Sequence, residues 1–235
     1  MKKIWISGAS SGIGRALAIE SAKRGHLVYG TSRSIERLTD LSKLVDSVVD
    51  FANFQVSVCD ISNRSEVEKY VKGAFGDNAP DVLINSAGVT SFKEALDTDL
   101  EETEQIIFTN LLGSIYTIKS VLPAMVKRRS GMIVNINSVA ALDRLKGSSV
   151  YSATKAGLLQ FSRVLREEVR ENNIKIIDIL PGATETPIWH EKVRAKYSDK
   201  MMSPEKLAGY IIDFVEDESN IVQEEVVFRP ITGNL

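Results

Sequence analysis

Short runs of β-branched residues alternate with longer segments of helical period almost to the C-terminus, and no other feature narrows the fold so far. That rhythm argues for βαβ units, because parallel strands need crossovers and the crossovers are helices laid on the sheet. Strand candidates are Lys3–Ser7, Leu27–Thr31, Gln55–Val58, Val82–Asn85, Met132–Asn137, Lys175–Leu180 and Glu225–Phe228. Most are nearly continuous in Val, Ile and Leu, as strands covered on both faces should be. Helical period marks Gly12–Arg24, Ile35–Leu44, Arg64–Ala74, Glu101–Arg128, Tyr151–Asn172 and Pro204–Val215. Ser62, Asp99 and Ser203 are expected N-caps, with Pro204 at a first helical position. The expected fold is α/β, a doubly wound parallel sheet of about seven strands with helices on both faces. One domain over residues 1–235 is expected, and the stretch Thr186–Met202, without strand character, reads as a lid.

Charge and composition exclude several classes. Lys+Arg 29 against Asp+Glu 31 gives a net charge of -2, with no basic surplus for nucleic acid. The cluster Lys127-Arg128-Arg129 reads as a solvated helix end that complements the helix dipole. Cys59 is the only cysteine, so no intrachain disulfide forms and a reducing, cytoplasmic setting is expected. After Met1-Lys2-Lys3 the apolar run Ile4-Trp5-Ile6 ends at Ser7-Gly8, too short for a secretory leader. No window reaches the roughly 20 apolar residues of a membrane span, so no membrane partner is expected. Two His and one Cys, dispersed along the chain, make no metal site.

The first strand runs directly into Ser7-Gly8-Ala9-Ser10-Ser11-Gly12-Ile13-Gly14, and a helix follows at once. A tight turn with bare backbone lets a pyrophosphate rest on the helix N-terminus, although glycines in such turns also arise for packing alone. The second strand ends Gly30-Thr31-Ser32-Arg33-Ser34, with a guanidinium and no carboxylate at its tip. An acid there would bond a ribose 2′-hydroxyl, whereas an Arg suits a 2′-phosphate. The reading is NADP(H) in preference to NAD(H), with Arg33 as clamp, Ser32 as neutral neighbour and Arg15 as a second cation. Glu36, in the first turn of the next helix, is assigned to the helix dipole.

Tyr151 and Lys155 stand four residues apart on a helical segment and share a face. Ser138 follows an apolar strand at the end where α/β sheets place ligands. Asn110 lies inside a helical run, where a buried amide demands partners. Each alone has an ordinary structural reading: packing, a solvated cation, a strand-end cap. Together with the glycine turn, Asp60, Asn85-Ser86-Ala87-Gly88 and Pro181-Gly182-Ala183-Thr184-Glu185-Thr186, they resemble the short-chain dehydrogenase/reductase family, in its short three-glycine branch and over essentially the whole chain.

The resemblance implies a three-layer, Rossmann-like fold and a carbonyl–alcohol oxidoreductase. It makes Tyr151 the general acid or base. Lys155 lowers the phenol's proton affinity and bonds the nicotinamide ribose, Ser138 holds the substrate oxygen, and Asn110 anchors a water in the proton path. Cofactor contacts would come from Gly8, Ser10, Ser11, Gly12, Ile13 and Gly14 at the phosphates. Asp60 would bond the adenine, with Asn85 and Gly88 at the ribose, Thr186 at the carboxamide, Pro181-Gly182 beneath the ring, and Ile61, Ala87 and Thr184 alongside. Substrate would meet Ser138, Ala140, Tyr151, Ile188 and Trp189, within loops 140–150 and 186–202. Asp143, Arg144 and Lys146 in the first loop read as solvated. The family departures are Ser7, where Thr is commoner, and Ser86, where a second Asn is. A small carbonyl or alcohol is the implied partner, and a homodimer or homotetramer pairs through Glu101–Arg128 and Tyr151–Asn172. A non-catalytic dinucleotide sensor and an enzyme dipping Trp189 and Met201-Met202 into lipid are the alternatives.

Overall fold

The computed structural model describes residues 1–49 and 53–233; positions 50–52 and 234–235 of the expected 1–235 unit lie outside them. In chain order the first half runs β1 (Lys3–Ser7), α1 (Gly12–Lys23), β2 (Leu27–Ser32), α2 (Ile35–Val48), β3 (Phe54–Val58), α3 (Arg64–Phe75) and β4 (Val82–Asn85). A long helix follows in two parts, α4 (Leu100–Ile107) and α5 (Gly113–Arg128), joined without a break by a π-helical turn, Phe108–Leu112. The rest comprises β5 (Gly131–Ile136), α6 (Ser149–Val169), β6 (Ile174–Pro181), α7 (Glu191–Tyr197), α8 (Pro204–Glu216) and β7 (Glu225–Phe228). All seven strands are parallel, in the order β3-β2-β1-β4-β5-β6-β7. The chain therefore winds outward in one direction and then the other from β1, and the Rossmann-like expectation holds.

Strand alternation builds two cores. Ile4, Ile6, Val82, Ile84, Val134, Ile177 and Ile179 face α1, α2 and α8, packing on Leu17, Leu41 and Ile211. Their neighbours Trp5, Leu83, Ile133 and Ile176 face the opposite layer, against Val71 of α3, Ile118 and Val121 of α5 and Leu165 of α6. Trp5 is fully buried, and its indole N–H donates to Thr31 Oγ1 at 3.0 Å. A large apolar ring with its one donor satisfied suits this central strand.

The second core also encloses a polar seam. Thr117 donates to Asn85 Oδ1 (2.6 Å), Asn85 to Asn135 Oδ1 (2.9 Å), Asn135 to Ser162 Oγ (2.9 Å) and Ser162 to Asp178 Oδ1 (3.0 Å). Arg166 closes it, donating to Asp178 Oδ2 at 3.1 Å and to the Ile176 carbonyl at 3.2 Å. Burial pushes the Asp178 carboxyl up to about 6 against the pull of Ser162 and Arg166. A buried network of this kind ties β4, β5 and β6 to α5 and α6 in one register, provided every member is satisfied.

Three expectations change. The N-cap of α3 is Asn63, whose side chain accepts from Ser65 and Glu66 N–H, because Ser62 instead closes a turn on Asp60. Arg128 is not simply solvated: its guanidinium donates to the Ala79 and Pro80 carbonyls at 2.8 and 2.6 Å, tying the helix end to the loop before β4. By length and composition, Leu100–Arg128 with mean hydropathy 1.3 could cross a membrane, against the expectation that no window is apolar enough. Here its Ile118, Val121 and Met125 are fully buried in the second core, as in a central helix of an α/β layer.

Candidate active site

A cleft of about 560 Å³ opens at the carboxyl ends of β1, β2, β4, β5 and β6, over the point where the winding reverses between β1 and β4. Open α/β sheets bind ligands there. The turn after β1 supplies Gly8, Ser10, Ser11, Gly12 and Ile13 to its wall. Gly8 has φ +72, and a Cβ on it would lie 2.5 Å from Ala87 Cα, so only glycine lets the two backbones approach. Gly14 lies outside the lining; its Cβ would strike the Gly8 carbonyl at 2.3 Å, so it serves turn-to-helix packing. Ser11 gives α1 no side-chain cap and no acid occupies the first turn, leaving the helix N-terminus open toward the cleft. Ser7 Oγ is buried without a partner, whereas Ser86 joins the lining.

At one end the lining is Ser32, Arg33, Ser34 and Arg37 from the β2–α2 corner, with Cys59, Asp60 and Ile61 opposite. Arg37 was missed by the sequence reading, which chose Arg15; Arg15 does not line the cleft, while Arg37 stands in the first turn of α2 beside Arg33. Glu36 accepts from Ser34 Oγ at 2.8 Å in that first turn. Asp60 Oδ1 accepts from both the N–H and the hydroxyl of Ser62, fixing the carboxylate. Burial pushes the Cys59 thiol up to about 12, which leaves it unreactive.

At the other end α6 and the end of β5 meet. Tyr151, in the first turn of α6, and Ser138 both line the cleft. Burial raises the Tyr151 phenol, and the Ser138 hydroxyl beside it pulls the other way. One turn on, Lys155 lies beneath the lining, 4% exposed, with Nζ donating to the Ile136 carbonyl at 2.9 Å and 5.7 Å from the Tyr151 ring centre. Burial lowers it to about 8, with Asp178 opposing. Desolvation is thus the larger influence on the phenol here, and the Lys155 ammonium bonds the Ile136 carbonyl.

Asn110 is fully buried in the π-helical turn and spends its amide on both backbone groups of Val89, at 2.8 Å each, and on Thr154 Oγ1 at 3.3 Å. Gly88 fits between it and Lys155: a Cβ there would lie 3.4 Å from Asn110 Oδ1 and 3.9 Å from Lys155 Nζ. Asn85 does not reach the cleft. Its side chain points into the polar seam, because β4 turns that position toward α5. Ala87, Gly88, Pro181, Gly182, Thr184 and Thr186 do line it. Ala140 does not; it is 3% exposed and its N–H donates to Ser138 Oγ at 3.1 Å, orienting that hydroxyl. Ile188 and Trp189 line the cleft, joined by Phe92, Val139, Leu145 and Ser148. The 186–202 stretch is not structureless: it carries α7, and its base is clipped by Met202 N–H to the Ala183 carbonyl and Glu185 N–H to Met202, both at 2.9 Å.

A doubly wound parallel sheet with its cleft at the reversal point defines a Rossmann-type α/β protein. The chain belongs to the short-chain dehydrogenase family, which it matches over residues 2–197. It is 32% identical over 234 residues to an uncharacterized oxidoreductase of Staphylococcus saprophyticus, covering 96% of each chain. Among solved structures it is similar to the closed form of serine dehydrogenase complexed with NADP+ (28% identity, TM-score 0.89, 99% and 96% of the two chains). It is also similar to the F189W actinorhodin polyketide ketoreductase with NADPH (26% identity, TM-score 0.87, 99% and 97%). The chain is accordingly an oxidoreductase of that family.

Proposed function

We propose that the protein interconverts a carbonyl and a secondary alcohol on a small molecule with NADP(H), in preference to NAD(H). The observation that carries this reading is the cleft's polarity: Arg33 and Arg37 at one end, Ser138 and Tyr151 with Lys155 beneath at the other. The residues fit a dinucleotide. The bare backbone between Gly8 and Ala87 and the uncapped start of α1 suit a pyrophosphate. Two guanidiniums with no facing carboxylate but the Ser62-bound Asp60, among the described lining residues, suit a 2′-phosphate. Thr186 lies over Gly12, where a Cβ would approach it to 3.1 Å, so the lid and the glycine turn together close over the ligand's middle.

A reduced nicotinamide held there would supply the hydride for the carbonyl carbon. Tyr151 gives its proton to the carbonyl oxygen, which Ser138 holds by a hydrogen bond. Lys155 stabilises the phenolate left behind, and Asn110 fixes the Val89 turn against which Gly88 and Lys155 rest. Tyr151 and Lys155 would move protons in the reverse sense for alcohol oxidation. The chain works as one unit with 186–202 as lid, pairing with further copies in a homodimer or homotetramer; its single, buried cysteine supports a cytoplasmic setting.

The test is NADPH oxidation over a panel of ketones and aldehydes. Tyr151→Phe should abolish turnover while NADPH still raises the melting temperature. Retained turnover would refute the assignment.

A further inference from the structure

The walls around Tyr151 come from three separate segments, and the groups that they bring together discriminate by charge and shape. Phe92, in the loop after β4, stacks on Trp189 of the lid with ring centres 4.7 Å apart and planes 10° from parallel. Trp189 is fixed as a plate: its indole N–H donates to the Thr184 carbonyl at 3.0 Å, and its backbone N–H to Thr186 at 3.2 Å. The 139–148 loop closes the third side, where Gly147 approaches Phe92 and Lys93 so nearly that a Cβ would touch their backbone at 3.8 Å. Val139, Leu145, Pro187 and Ile188 add apolar surface, and the polar groups here are neutral: the hydroxyls of Ser138, Ser148 and Tyr151, with Thr90 and Asn137 alongside.

Charge is absent from this end among the described lining residues; Arg33, Arg37 and Asp60 all belong to the far end. Three cations on the wall segments are paired elsewhere, and the lid's Lys192, Lys196 and Lys200 lie outside the lining. Lys93 pairs with Glu102 at 2.7 Å, Lys146 with Glu94 at 2.8 Å and Arg194 with Glu185 at 3.1 Å, while Arg144 is exposed and outside the lining. A substrate carboxylate entering here would lose its hydration and find beneath this end only Lys155, which is 4% exposed and already bonded to the Ile136 carbonyl, a loss that neutral side chains alone do not offset. A flat apolar group would instead lie against the aromatic pair, where offset stacking adds to simple burial.

We propose that the substrate is an uncharged ketone or aldehyde with a flat, apolar or aromatic substituent seated against Phe92 and Trp189, and that its carboxylate-bearing analogues are excluded. This rests on the carbonyl-reduction reading and narrows it to one substrate class. Phe92 and Trp189 are then the specificity-determining residues, and the lid acts by carrying one half of the aromatic pair.

The experiment compares methyl benzoylformate, benzoylformate and methyl pyruvate as substrates with NADPH, in the wild type and in Phe92→Ala. The first two share the phenyl ketone and differ in a methyl ester against a free carboxylate, and the first and third differ in phenyl against methyl on the ketone. NADPH-induced thermal shift is recorded throughout. Expected is a kcat/KM for benzoylformate at least about tenfold below that of its methyl ester, and a preference for the phenyl over the methyl ester that Phe92→Ala erodes by roughly tenfold through KM, with an unchanged NADPH shift. A smaller gap between acid and ester overturns the proposal, as does a phenyl preference that survives Phe92→Ala intact. Turnover of none of the three by a protein that NADPH stabilises also overturns it, leaving the cofactor reading standing. Loss of the NADPH shift in the wild type would instead overturn the reading on which it rests.

Discussion

Replacing Gly8 by Ala separates two costs that usually arrive together. Both Gly8 (φ +72) and Gly25 (φ +77) occupy the left-handed region, but a Cβ on Gly25 would meet nothing within 4 Å. On Gly8 it would lie 2.5 Å from Ala87 Cα, 2.6 Å from Ala87 N and 2.9 Å from the Ser86 carbonyl carbon, all backbone. Left-handed backbone costs a residue with a Cβ about 1–2 kcal/mol. Stiffening the unfolded chain returns about 0.4–1 kcal/mol, so Gly25→Ala should lower stability by about 1 kcal/mol. Gly8→Ala carries the same balance plus overpacking of about 1–3 kcal/mol, giving about 2–4 kcal/mol, since β1 and β4 must part. Urea denaturation with and without saturating NADPH measures both effects. Gly25→Ala should keep the full ligand-induced stabilisation, about 2.7 kcal/mol at a hundred times the dissociation constant, while Gly8→Ala loses most of it. Equal losses of stability in the two variants, or an intact NADPH effect in Gly8→Ala, would refute the argument from backbone approach.

Arg33→Ala and Arg37→Ala should each weaken NADPH binding by about tenfold or more, as charge-assisted hydrogen bonds are worth about 1.5–3 kcal/mol, and leave NADH binding nearly unchanged; calorimetric titration with both cofactors decides this. Carbonyl reduction should fall as pH rises through about 8, because the desolvated Lys155 then loses the proton whose charge stabilises the phenolate. A rate that holds to pH 9.5 would contradict that assignment. Asp178→Ala should cost about 3 kcal/mol in chemical denaturation, since it removes the buried partner of the 5% exposed Arg166 and leaves only Glu224 and Glu225, at 3.7 and 3.9 Å.

The strands were legible as short, nearly continuous β-branched runs, as strands covered on both faces must be, and the long helices by their helical period. Side-chain direction at a strand end was not. Asn85 stands in a motif that reads as ligand-binding, yet the alternation along β4 assigns Ile84 to one core and Asn85 to the seam on the other side. Nothing short of the sheet register reveals that. Ser62 and Asn63 are adjacent residues of equal capping chemistry, and the choice fell to Asn63 because Asp60 had claimed Ser62. α7 escaped notice since its seven residues bury no side chain and so leave no apolar stripe. Arg37 carried a signal that went unused: it lies four residues after Arg33, in the first turn of a helix that starts at the cleft edge. Phe92 carried none, for its partner Trp189 is nearly a hundred residues away in sequence.

The contact of Thr186 with Gly12 joins the start of the chain to a point about four-fifths of the way along it. A ribosome makes the glycine turn well before the facing wall of the pocket, which follows only after five further strands have been synthesised. β1 itself waits for β4 before both of its edges are paired, since Ile4 aligns with Val28 on one side and Val82 on the other. Nascent chains of this protein therefore extend through five strands with one wall of the cleft missing, so a ligand that needs both walls can stabilise the finished molecule but cannot nucleate it. Truncations that end before residue 186 should accordingly be clients of chaperones whatever the cellular supply of dinucleotide.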